Sequence, residues 1–186
     1  MRKNFGAKPF IYPMPVLIIG TYNPDGTPNA MSAAWGGIAD TQLISICLSE
    51  DHRTTQNIFA RKAFTVSMAV AEQVVAADYV GIVSGDKVPD KLAKAGWHTT
   101  KSETVDAPLI DELPFALECE FVSYEENTGL LLGKICNVCA EESILTDGKV
   151  DLSKFHPITY DSSGHGYYAL GEKVGNAFSD GKALKG

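Results

Sequence analysis

Val16-Leu17-Ile18-Ile19, then Asn23-Pro24-Asp25-Gly26, then Asn29-Ala30-Met31-Ser32 is the stretch on which the fold turns. An unbroken apolar run, a Pro-Asp-Gly reversal and a second short run read as a buried strand and its antiparallel return. Outward from this hairpin, Phe64, Val66, Met68 and Val70 alternate with Thr65, Ser67 and Ala69. Phe115, Leu117, Cys119 and Phe121 alternate in the same way with Ala116, Glu118, Glu120 and Val122. A period of two marks strands with one buried face. Leu43 to Leu48 and Leu130 to Ala140 read as further strands, with a turn at Thr146-Asp147-Gly148 into a last short one.

Helical patterns are fewer. They cover Arg53 to Arg61, Glu72 to Val80 with Val75, Tyr79 and Ile82 on one face, and a short turn at Asp90 to Lys94. Strands do not alternate regularly with helices, which disfavours a doubly wound parallel sheet. About six antiparallel strands with a few inserted helices imply a closed or partly closed barrel, mainly β in class.

The 186 residues predict one domain spanning 1–186. With 45% hydrophobic and 21% charged residues, the composition is that of a chain that folds. Sixteen Lys and Arg against 23 Asp and Glu give a net charge of −7, which excludes a general attraction to nucleic acid or to anionic membranes. An anionic ligand must therefore meet a local positive site. No apolar run reaches the ~20 residues of a membrane span, and Pro9, Pro13 and Pro15 interrupt any apolar leader, so the expected location is cytoplasmic. Four cysteines are too sparse for a disulfide scaffold.

Several motifs fail on inspection. Cys136 and Cys139 form a C-x-x-C, but in a strand pattern their sulfurs fall on opposite faces roughly 10 Å apart, too far for a disulfide or a shared metal. Gly164-His165-Gly166-Tyr167-Tyr168-Ala169 fits a loose dinucleotide fingerprint with no βαβ unit to follow it. Gly81 to Lys87 lacks the spacing of a phosphate-binding Walker loop. His52, His98, His156 and His165 show no metal-binding spacing and read as surface or capping residues.

Asp51-His52-Arg53-Thr54-Thr55-Gln56-Asn57-Ile58 carries more chemistry. It opens a helix, with Asp51 as the expected cap. The hydroxyls of Thr54 and Thr55 stand beside the free first-turn N–H groups, and Arg53 sits at the positive dipole end, where only a nearby anion makes it favourable. The combination points to a phosphate. Asn29 to Trp35 is a strand of mostly small residues ending in a large aromatic, which leaves backbone open to a flat ring. Ser84-Gly85-Asp86-Lys87-Val88-Pro89-Asp90-Lys91 is a loop able to close over a charged ligand.

These pieces, in this order, resemble the flavin reductase-like family of FMN-binding split barrels, in particular its flavoredoxin branch. The motifs are Pro15-Val16-Leu17, Asn23-Pro24-Asp25-Gly26, Asn29 to Trp35, Arg53 to Ile58, Ser84-Gly85 with Asp90-Lys91, and Tyr167-Tyr168-Ala169-Leu170-Gly171-Glu172. The resemblance implies a six-stranded antiparallel Greek-key barrel, a homodimer, and noncovalent FMN near the dimer interface. Carried over by position, Thr54, Thr55 and Asn57 with Lys91 are the implied phosphate contacts, and Arg53 and Ser84 belong to the same cofactor site. Asn29, Ala30, Met31 and Ser32 meet the flavin edge, Trp35 and Cys47 lie around the ring, and Tyr167 or Tyr168 covers it. Asp40-Thr41-Gln42 departs from the Asp-Pro-Pro of many members.

In such a protein the cofactor carries the chemistry and the chain binds and orients it. Two redox functions follow from the resemblance. One is an oxidoreductase that takes hydride from NADH or NADPH and passes electrons to free flavin, a quinone-like acceptor or a partner protein. The other is an electron carrier reduced by a protein donor such as a ferredoxin. The third possibility is a flavin-binding protein without redox exchange.

Overall fold

The computed structural model describes residues 1–185. The hairpin forms as expected: β1 (Leu17–Tyr22) pairs antiparallel with β2 (Pro28–Ala33), Leu17 opposite Ala33 and Tyr22 opposite Pro28. In its turn, Gly26 has φ of 86°, and Asp25 Oδ1 accepts from both the N–H and the hydroxyl of Thr27. There follow β3 (Gly36–Asp40), β4 (Leu43–Cys47), α1 (Arg53–Arg61), β5 (Ala63–Met68), α2 (Val74–Ile82) and α3 (Lys91–Lys94). Next come β6 (Thr99–Lys101), β7 (Pro108–Ile110), β8 (Phe115–Glu125) and β9 (Leu130–Ala140). The chain continues through β10 (Leu145–Thr146), β11 (Lys149–Val150), β12 (Ile158–Asp161) and β13 (Gly166–Ala169).

The main sheet is antiparallel throughout, with the order β2-β1-β5-β8-β9-β4-β3. It has seven strands where the sequence reading gave about six, because β3, a Gly-containing and largely exposed strand, carries no apolar alternation to reveal it. In a flat sheet the edge strands β2 and β3 would be about 29 Å apart, six inter-strand spacings. Only Ala34 and Trp35 join them, and three residues reach roughly 11 Å. The sheet must curl, and the seam between β2 and β3 is where the barrel is split.

Each face of the sheet is covered separately. Leu17, Ile19, Ile44, Ile46, Phe64, Val66, Leu117, Cys119 and Leu131 fill the inside, joined by Ile58 of α1. Val16, Ile18 and Ala30 face an outer layer built on α2, α3 and the later hairpins. This double burial explains why Val16 to Ile19 is uninterrupted rather than alternating. The hairpin of β6 and β7 and that of β12 and β13 had no clear sequence signal and lie over the outer face, where Thr65 Oγ1 donates to Pro108 O at 2.6 Å.

Helix α2 corrects the sequence reading. Its buried residues are Ala76, Ala77 and Val80, whereas Val75 and Ile82 are 82% and 73% exposed. Small residues let it approach β2 closely: a Cβ on Gly81 would stand 2.9 Å from Ser32 Cβ. Cys136 and Cys139 both lie in β9 as read, in different surroundings, Cys136 against Ala63, Val105 and Ala107 and Cys139 beside Phe115 and Ala140. Among the described residues, no helix is long and apolar enough to cross a membrane.

Gly133 tests how tightly the barrel is filled. A Cβ there would overlap the fully buried Phe64 ring and stand 3.4 Å from Ile44 Cγ2. Gly133→Ala is expected to cost about 1–3 kcal/mol in urea unfolding; an unchanged midpoint would mean that the ring can yield.

Candidate functional site

The site forms where two helix ends meet above β2. His52, not Asp51, is the N-cap of α1; its backbone is extended and no side chain caps the helix, so the first-turn N–H groups have no side-chain acceptor. Thr54 is buried there, its Oγ1 accepting from Asn29 Nδ2 at 2.8 Å, which leaves the hydroxyl proton to donate elsewhere. From the other side, Lys91 of α3 extends its ammonium to the C-terminal end of α2, donating to Val80 O at 3.2 Å and Val83 O at 3.1 Å. Lys91 is 2% exposed and has no carboxylate in contact. Burial pushes its ammonium down to about 8, with Asp86 pulling slightly the other way.

Between these groups lies a cavity of about 500 Å³, lined by Met31, Ser32, Arg53, Thr54, Ser84 and Lys91 among the expected residues. Asp51, His52, Val80 to Val83, Gly85 and Lys87 complete the wall. A second cavity of about 310 Å³ shares Ser32, Gly81 and Ile82 with the first and continues past Ala33, Ala34, Asp78, Tyr160, His165 and Tyr167. Together they form a trough along β2, cationic at one end and aromatic at the other.

The trough distinguishes the two tyrosines. Tyr167 lines it and donates to Asp78 Oδ1 at 2.8 Å; burial and that carboxylate push the phenol up to about 12. Tyr168, next along β13 and 59% exposed, does not line it. Trp35 and Cys47 are tied by Cys47 N donating to Trp35 O at 2.7 Å, but Trp35 opens into a third cavity of about 420 Å³ against residues 8–15. That cavity meets the trough at Ala34.

Four expected residues sit behind the wall rather than in it. Ala30 is fully buried in the outer core. Asn29, Thr55 and Asn57 are buried in a polar seam below the cavity, with Asn57 Nδ2 donating to Thr21 Oγ1 at 3.1 Å and Asn23 Oδ1 at 2.9 Å. Asn29 Oδ1, Thr55 Oγ1 and Asn57 Oδ1 are the buried side-chain atoms without a partner among the described residues. Each such atom costs about 1–3 kcal/mol, a cost characteristic of a site arranged for something else to complete. Asp78 and His165 were missed. Asp78 had a signal, being the single charge in Val74–Ile82. His165 is exposed, as its reading as a surface residue expected, but it also lines the trough and pairs its Nδ1 with Tyr160 Oη at 2.8 Å, a contact made only by the hairpin.

Fold and site define a split barrel with a trough that ends between a buried ammonium and an uncapped helix start. The sequence matches the family described as flavin reductase like domain over residues 10–170, and the chain belongs to that family. It is similar to the structure of flavoredoxin of Desulfovibrio vulgaris (Miyazaki F), 39% identical with a TM-score of 0.93, covering 97% of this chain and 100% of that one. A flavoredoxin from Methanosarcina acetivorans is 29% identical with a TM-score of 0.89, covering 99% of each chain. The FMN-binding domain of a flavin reductases-like enzyme from Shewanella baltica OS155 shares the fold at 20% identity, a TM-score of 0.78 and coverage of 87% and 88%. A protein of Aeropyrum pernix described only as uncharacterized is 25% identical over 154 residues, 81% of this chain. The chain spans 58% of that relative's length.

The buried ammonium sets a pH dependence. Lys91 titrates near 8 in the folded chain and near its ordinary 10.5 in the unfolded one, so between those values the unfolded chain binds more protons. The cost of the buried charge is present below pH 8 and is relieved as pH rises toward 10.5. In flavin-free protein, the urea midpoint of Lys91→Gln minus that of the parent should therefore shrink between pH 7.5 and 9.5. A constant difference would show that Lys91 stays charged throughout.

Proposed function

We propose that this chain binds one FMN in the trough and transfers electrons through it as a flavoredoxin-type protein. The observation that carries the reading is Lys91, a buried cation that meets no carboxylate and shares a cavity with Thr54 and the uncapped start of α1. A phosphate supplies both the missing charge and the missing acceptor. The remaining hydrogen of Lys91, the Thr54 hydroxyl and the α1 amides would hold that phosphate. Met31 to Ala34 would flank the flavin, and Tyr167, held by Asp78, would close its far end. Bound there, FMN supplies reversible two-electron chemistry. The chain's part is to fix its position and set its exposure.

Likeness over nearly the whole chain to two flavoredoxins, at 39% and 29% identity, supports electron transfer as the role. A reductase driven by NADH or NADPH is the second reading, favoured by the largely apolar third cavity, where Trp35 offers a flat surface beside the trough. We also infer a homodimer, supported by Val75, Ile82, Val174 and Phe178, which are large, apolar and exposed. Four free thiols fit a reducing, cytoplasmic location.

Anaerobic stopped-flow mixing of FMN-loaded protein with NADH, NADPH and reduced ferredoxin separates the readings. Fast bleaching of the flavin by ferredoxin alone is expected, and fast bleaching by a nicotinamide would make the chain a reductase. At the phosphate end, Lys91→Ala and Thr54→Ala should each weaken FMN by about 1–3 kcal/mol and leave riboflavin unchanged. Equal losses for both ligands would remove these residues from phosphate recognition. Reductive titration should consume two electrons per chain in the parent and in the double variant Cys136→Ser/Cys139→Ser; a parent value of four would reveal a dithiol centre.

A further inference from the structure

Asp86 lies behind the wall at the cationic end of the trough, between Gly85 and Lys87, which line it, and is bonded to Arg53, which also lines it. Its Oδ1 accepts from Arg53 Nε at 2.6 Å and pairs with Arg53 Nη2. Its own N–H donates to Ser84 Oγ at 3.2 Å, while Lys87 and Val88 donate their N–H groups to Ser84 O. Ser84 to Val88 is thus a self-bonded turn fastened by one ion pair to the first residue of α1. It is pressed close to the site: a Cβ on Gly85 would stand 2.5 Å from Asn29 Oδ1 and 3.5 Å from Arg53 Cγ. The first turn of α1 contains no acidic residue, and Asp86 brings a carboxylate to that helix end from another element, in addition to Asp51 just before the N-cap.

We propose that the Asp86–Arg53 pair closes the trough behind a single phosphate and so selects a flavin mononucleotide against a flavin dinucleotide, with Asp86 acting as a positioning residue through Arg53 and the turn. The inference rests on the FMN reading above. One phosphate needs only the inner donors: the Thr54 hydroxyl, the α1 amides and Lys91. A dinucleotide carries a second phosphate and an adenosine beyond it, and both would pass the residues that complete this end of the wall, Asp51 to Arg53 with Ser84, Gly85 and Lys87. Arg53 lines that end, but its guanidinium is already held by Asp86, so the second phosphate can pair with it only by displacing that carboxylate. Replacing that carboxylate with an amide loosens the turn and frees the guanidinium for a second phosphate.

Dissociation constants for FMN, FAD and riboflavin, read from flavin fluorescence on flavin-stripped protein, test this in the parent, Asp86→Asn and Asp86→Glu. The parent is expected to prefer FMN over FAD by at least about tenfold. Asp86→Asn should narrow that preference by about tenfold, mainly through tighter FAD, while Asp86→Glu keeps it and riboflavin affinity does not move. A merely structural role for Asp86 would shift all three ligands together. An unchanged FMN-to-FAD ratio in Asp86→Asn, a common shift of both nucleotides, or a parent with no preference overturns the proposal and leaves FMN binding standing. A parent that binds no FMN overturns the functional reading itself.

Discussion

Strand β1 has no solvent-facing side: Leu17 and Ile19 point into the barrel while Val16, just before it, and Ile18 point outward, and all four are buried. Water must be kept from both surfaces at once, so the chain curls a sheet around one and lays helices and hairpins over the other. Helix α2 can sit against β2 only because Ala76, Ala77 and Gly81 present almost no bulk, and α1 reaches inward through Ile58. The end of α2 and the start of α1 are thereby brought to one cavity above β2. The trough is a consequence of covering the hairpin.

That junction explains the unusual chemistry of the site. The carbonyls at the end of α2 carry partial negative charge and the amides at the start of α1 partial positive charge. Lys91 bridges the gap, tied to the first and directed toward the second. An ammonium buried this deeply is expensive, and its lowered pKa records the cost. Beneath it, three buried polar atoms on Asn29, Thr55 and Asn57 lack partners. Both features cost stability, and they lie next to one another beside the same cavity.

Much of this was legible in the residues. The Pro-Asp-Gly turn, the alternation around Phe64 and Phe115, and the helix from Arg53 to Arg61 are local patterns with local causes, and they reappear at the expected positions. Arg53, Thr54, Ser84 and Lys91 were expected together and share one cavity. The exposed face of α2 was misread because its large apolar side chains, Val75 and Ile82, outweighed the alanines that do the packing. β3 and the hairpin of β12 and β13 were missed because short, Gly-containing strands carry little periodicity.

By itself the sequence determined the antiparallel, mainly β class, the first hairpin, the helix from Arg53 to Arg61, and the absence of a strong general positive charge. All of these rest on neighbours within a few residues, where turn chemistry, side-chain period and dipole direction act. Only the tertiary structure decided that Tyr167 rather than Tyr168 faces the trough, that Asn57 braces the hairpin, and that Asp86 is held by Arg53. Those outcomes join residues 33 to 89 positions apart or depend on which face of a short strand is covered. They follow from how the sheet curls and how closely α2 can approach it, and no local pattern encodes either distance.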